Sequence, residues 1–302
     1  MRDLARSGFT VVLVVFVFST MLSAGLGASR DALIRAGRSR QVRTTAGLVL
    51  IANVVVVPLL GVLAVNVFSM PAPSAIALLL LASSPGAPFA VKLLLLRHGD
   101  VAVGAPLQLL LALVGTITFA ATVNTLLPMV DLGNVGPIEV LPLMATVAAL
   151  QLTPFVVGVR IRWVSRALAE RWLGPATTTS SAAFAAAILL AAAAAGPEIV
   201  TLPTSALVGA ATFAILAAVA GYGSGLGGER TRIATATIAP MRATGPPFAA
   251  IAVAYGNDPA ILGAITAEIV VILAVGIVGF LVVSGKWRNH RASVPSADAG
   301  SS

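Results

Sequence analysis

The chain has no cysteine, two histidines and only eleven acidic residues among 302. Disulfides, thiolate metal sites and thiol nucleophiles are thereby excluded. Charged residues make up 10% of the chain, where a soluble domain carries about 25%. There is no His-Glu-x-x-His and no Gly-x-Ser-x-Gly. No two acids share an apolar run. The residue sets for metal, nucleophilic or acid–base catalysis are missing, so the chain reads as a non-enzyme with no metal site and no cofactor. His98, next to Gly99 and Asp100, has no further ligand nearby, and His290 reads as solvated.

What remains is apolar. Hydrophobic residues make up 58% of the chain and the mean hydropathy is +1.00. A helix needs about 20 apolar residues to cross a bilayer. Nine spans meet this, at roughly 8–28, 45–68, 74–96, 101–130, 138–159, 176–196, 203–223, 233–256 and 260–284. The expected fold is an all-α polytopic membrane protein over residues 1–285. A polar tail, 286–302, reads as disordered.

The net charge of +8 needs no nucleic-acid partner, because the basic residues sort by loop. Arg30, Arg35, Arg38, Arg40 and Arg43 follow the first span, Arg97 the third, and Arg160, Arg162, Arg166 and Arg171 the fifth. Arg230 and Arg232 follow the seventh, and Lys286, Arg288 and Arg291 follow the last. The alternate loops hold no Lys or Arg, and Asp131, Glu139, Glu198 and Asp258 lie in or beside them. The positive-inside rule puts the C-terminus in the cytoplasm and the N-terminus outside a cell membrane. Arg2 and Arg6 run against that assignment. Ser23–Ala28 resembles a signal-peptide cleavage site, but the run before it is long enough to span and five arginines follow, so it is read as a retained span. Trp163 and Trp287 read as interfacial anchors.

Two spans are interrupted. Ser84, Pro85, Gly86 and Pro88 break the third; Pro240, Gly245, Pro246 and Pro247 break the eighth. Unwound backbone at membrane depth survives only where protein or a water-filled cavity solvates it. Paired interruptions in corresponding positions of two halves point to a transporter site. Here they correspond if a five-span repeat is inverted and its first copy lacks the opening helix. Pro58 and Pro154 stand alone and read as kinks. A cation lies by each break: Lys92 and Arg242. Ionisable groups at this depth are functional candidates. Lys92, five residues from Arg97, has the alternative of snorkelling to the cytoplasmic edge. Arg242 has the alternative of a structural pairing with Glu268, the one acid well inside a span. Asn53 and Gln108 read as ligands or as interhelical glue, and Ser83 and Ser84 as ligands or as partners for freed backbone. The hydroxyl run Thr177–Ser181 reads as helix packing or a cap.

These residues resemble the bile acid:sodium symporter family, within the bile/arsenite/riboflavin transporter group. The pieces are Met21-Leu22-Ser23-Ala24-Gly25-Leu26, Asn53 before Pro58, Ser84-Pro85-Gly86, Gly99-Asp100-Val101-Ala102-Val103, and Met241, Thr244 and Gly245. The resemblance implies a panel (8–28, 138–159, 176–196) and a core (45–130 and 203–284), with two broken helices crossing near the midplane. It also implies sodium bound by oxygen ligands beside the crossing. Here the chain departs from the family. The implied ligand positions carry Ala90 and Val91, Ile238 and Arg242, and Gln108 followed by Leu111 and Ala112. Hard cations need several oxygens, and Ala, Val and Ile supply none from side chains. The expected function is therefore secondary transport of a small organic anion across the lipid bilayer. Coupling would be sodium-independent or proton-linked, with Lys92, Arg242, Glu268, Asn53, Gln108, Ser84 and Thr244 at the site. The alternatives are a sodium symporter with an altered ion site and a non-transporting binding module.

Overall fold

The computed structural model describes residues 2–28, 39–86, 90, 93–94, 101–132, 140–194 and 200–292. Lys92 and Pro88 lie outside the described residues. Those described form helices α1 (Arg2–Gly27), α2 (Arg40–Val67), α3 (Ala72–Ala82), α4 (Val101–Leu126), α5 (Val140–Val164), α6 (Arg166–Ala194), α7 (Thr204–Ser224), α8 (Glu229–Ile238), α9 (Gly245–Ala254) and α10 (Pro259–Ala292). Five helices are long and apolar enough to cross a membrane: Arg40–Val67, Pro106–Met129, Leu141–Val164, Thr204–Ser224 and Pro259–Gly279. Val11–Gly27, Ala72–Ala82 and Gly245–Ala254 are shorter apolar helices. The last two are halves of the interrupted spans.

Local chemistry explains the interruptions. α3 starts with a proline in its first turn, where the missing N–H belongs to an unpaired group anyway. It stops at Ala82 because Pro85 follows Ser84, and the residue before a proline is pushed out of the helical region. α8 ends against Pro240. α9 restarts at Gly245 with prolines in its first turn.

Side chains Ser74–Ala82 of α3 are all buried, and α2, α7 and α10 pack around them. Burying leucine against leucine gains little over burying it in lipid, so close packing and satisfied polar groups hold such helices together. α1 packs chiefly on α5 and α6. Two glycines set that contact. A Cβ on Gly158 would lie 2.5 Å from the Leu22 carbonyl, and one on Gly25 would meet the Phe155 carbonyl. The backbones of α1 and α5 therefore touch.

Two boundaries differ from expectation. The basic stretch 160–175 is helical, broken only at Ser165. Ser165 Oγ accepts from Leu168 N–H at 3.3 Å and starts α6. Glu170 accepts from Arg166 Nε at 2.8 Å and lies 3.5 Å from Arg162. The Arg166 hydrogen bond holds this exposed carboxyl below the usual carboxylate range. The loop was inferred from charge, but charge marks where a helix leaves the lipid, not where it ends. For the same reason α10 continues through 286–292, the first part of the tail read as disordered.

Candidate binding site at the helix crossing

The two interruptions meet. Pro85 and Arg242 form an antiparallel bridge, and Ala243 N–H donates to the Ser84 carbonyl at 2.9 Å. Gly86, at φ +96°, is in the left-handed region, where glycine is favoured. A Cβ there would lie 2.5 Å from Ala112 N. A Cβ on Gly115 would lie 2.9 Å from the Pro85 carbonyl. The first break thus lies directly on the backbone of α4.

Arg242 is buried beside this crossing. A guanidinium has five N–H donors, and each finds an oxygen. Nε donates to Leu81 O at 3.1 Å. Nη1 donates to Asn53 Oδ1 at 3.0 Å and to Ala239 O at 3.3 Å. Nη2 donates to Asn53 O at 3.3 Å and to Ala82 O. Leu81 and Ala82 end the first half-helix and Ala239 caps the second. These carbonyls belong to helix C-termini, where unpaired C=O groups accumulate partial negative charge.

The Asn53 carbonyl is available for a local reason. Residues Ala52–Val56 form a π-helical turn in α2, in which Val57 N–H bonds back to Ala52 O. In that register the next donor, for Asn53 O, is residue 58, a proline with no N–H. The freed carbonyl takes Arg242 instead. Asn53 Nδ2 is held by Val49 O at 2.9 Å, which turns Oδ1 toward the guanidinium. Pro58 is thus more than a kink.

Arg242 also borders a cavity of about 250 Å³. Its walls come from α1, α5 and α6 on one side and from the second break and α10 on the other. Thr20, Ser23, Gln151, Ser180, Ser181 and Thr244 are its uncharged polar side chains. Thr20 and Ser180 hydroxyls are 2.5 Å apart. The Phe16 and Phe184 rings meet at a 38° tilt with centroids 5.2 Å apart. No acidic residue lines it among the described residues.

Of the residues singled out from the sequence, Arg242 and Asn53 bond directly, Ser84 joins the crossing through its backbone, and Thr244 and Gly245 reach the cavity. Glu268 and Gln108 do neither. Glu268 is fully buried in α10, and neither carboxyl oxygen has a hydrogen-bond partner among the described residues, so the pairing with Arg242 is not formed. Both amide atoms of Gln108 and the Ser84 hydroxyl are likewise buried without partners. The hydroxyl run read as mere packing places Ser180 and Ser181 in the cavity wall. Gln151 and Thr20 were missed, since isolated amides and small hydroxyls on an apolar helix do not show which neighbour they face.

Apolar helices and two breaks that cross in the interior are the features of a multi-pass membrane protein. The model of the Sodium Bile acid symporter family matches residues 14–202, well over half of the chain, and the protein belongs to that family. Its members are transporters, not enzymes. Arg242 lies beyond the matched stretch. A comparison with curated proteins gives no match.

Proposed function

We propose that this protein is a secondary transporter of a small organic anion that works by alternating access without sodium. α1, α5 and α6 are read as the panel and the remaining helices as the core. In this reading nine spans form an inverted repeat in the cell membrane, with the N-terminus outside and the C-terminus in the cytoplasm. The observation that carries it is the Arg242 guanidinium with all five N–H groups on neutral oxygens. Helix C-termini and unwound carbonyls are the ligands that coupling cations use in carriers with broken helices. Here a fixed cation holds them, so a mobile one would have to displace a tethered side chain. Ala90 and Ile238 offer no replacement ligands.

Arg242 has no N–H left for a substrate, so it acts on one through its charge. A positive wall favours anions in a cavity that, among the described residues, no acid lines. Lys92, assigned from sequence to the first turn after the other break, would add to that field. Glu268 is the remaining group through which protons would couple.

The test is uptake of small carboxylates and sulfonates into proteoliposomes with sodium replaced by choline. Uptake that survives the replacement and is lost in Arg242→Ala is expected. Strict sodium dependence would return the function to an altered sodium symporter. Binding without flux would make it a non-transporting module.

A further inference from the structure

We propose that Gln151 is the latch between the two moving groups of helices, holding the present arrangement through Thr116. This rests on the alternating-access reading above and names the contact that must open. Gln151 lies on α5 and is 3% exposed; Thr116 lies on α4 and is also 3% exposed. Thr116 Oγ1 donates to Gln151 Oε1 at 3.2 Å, a buried side-chain bond joining the proposed panel to the proposed core.

Its position connects both breaks to the cavity. Thr116 Oγ1 also donates to Ala112 O at 2.8 Å. Ala112 is the residue on which Gly86 of the first break rests, and neighbouring Gly115 abuts Pro85. On its other side, Gln151 Nε2 lies 3.6 Å from where a Cβ on Gly245, at the second break, would stand. Gln151 also lines the cavity. One amide therefore bonds the core beside the first break, lies close to the second, and faces the space where a substrate would sit.

The chemistry suits a latch. A hydroxyl has one proton, and that of Thr116 already serves Ala112 O at the shorter distance. The share left for Gln151 makes a weak bond, which an oxygen or N–H of a molecule in the cavity can replace. A stronger bond would hold the groups together whatever the cavity contained. Loss of the latch raises the rate at which the cavity reaches the opposite side of the membrane, while leaving the interior of each helix group unchanged. Gln151 is thus a positioning residue for the transition.

The chain has no cysteine, so Ser180→Cys, buried on the cavity wall, gives a single labelling site. A membrane-impermeant maleimide is applied to each side of sealed vesicles in turn. In Gln151→Leu and in Thr116→Val, labelling from the slower side is expected to rise roughly 2- to 3-fold, the factor at the weak end of the hydrogen-bond range. The double variant should rise no further than either single one, because both remove the same bond. Thr116→Ser, which keeps the hydroxyl, should restore the original rate. Melting temperature is followed in parallel. A rate change that merely tracks lost stability, or additive effects of the two substitutions, overturns the latch. Unchanged labelling in the single variants, on a background that is itself reached from both sides, overturns the latch but leaves alternating access standing. Labelling from one side only in every variant overturns both.

Discussion

Arg242 carries a positive charge into a place where, among the described residues, its bonding partners are all neutral oxygens. Truncating it removes the partner of Asn53 O, Asn53 Oδ1, Ala82 O and Ala239 O, while Leu81 O keeps the Ser84 N–H at 3.0 Å, and each buried unpaired group costs about 1–3 kcal/mol. Arg242→Ala should therefore lower the melting temperature more than truncation of Thr20 or Ser180, measured on protein purified in the same detergent. Arg242→Lys should recover little, because an ammonium has three donors and no planar fork to place against five oxygens. Free guanidinium at non-denaturing concentration should partly restore the stability of Arg242→Ala and leave Arg242→Lys unchanged. Equal stabilisation of both variants would mean the five oxygens are not a site shaped for this cation. The sequence exposed Arg242 because a cation ten residues inside a span is conspicuous. It could not show the saturated hydrogen bonding, which depends on carbonyls from three separate helices.

At the level of helices, the prolines and glycines were legible as punctuation, and their consequences were only partly so. Pro58 looked like a kink, yet it frees the Asn53 carbonyl that Arg242 uses. Pro58→Ala returns an N–H in that register, offering Asn53 O a backbone partner in competition with Arg242. The expected result is a straighter α2 and a loosened guanidinium, seen as faster hydrogen exchange at the crossing. Unaltered exchange there would separate the π-turn from the site. Gly158 gave no sequence signal, because glycine is common along the chain, and Gly25 entered the resemblance without showing that it touches another helix. Gly158→Ala places a methyl 2.5 Å from the Leu22 carbonyl, so α1 and α5 must separate. Overpacking of this kind costs about 1–3 kcal/mol, read as a lower melting temperature. Gly174→Ala, where nothing lies within 4 Å, is the control expected to show no loss. Helix ends were misjudged where arginines followed a span, since membrane exit and helix end are separate events.

For the whole molecule, composition and apolar spans were enough to reach an all-helical membrane protein, and the resemblance of a few short segments led to its family. The cavity was not legible, since its polar side chains are scattered over α1, α5, α6 and the second break, and only folding brings them together. The partnership of Glu268 was also beyond reach, because its spacing along α10 says nothing of which neighbour it faces. Having no hydrogen-bond partner among the described residues, its carboxyl makes Glu268→Gln a useful comparison. The amide keeps the shape and removes the ionisable group, so uptake driven by a proton gradient should fall to the level seen without one. Unchanged gradient-driven uptake would remove Glu268 from coupling. The most direct measurement of the central claim, that Arg242 is the resident cation of the crossing, needs no substrate. The purified protein is melted across a series in which sodium replaces choline at constant ionic strength. An ion that binds the folded state raises the melting temperature by mass action. With Arg242 in the cage, the melting temperature should be the same throughout the series; a saturable rise with sodium would contradict it.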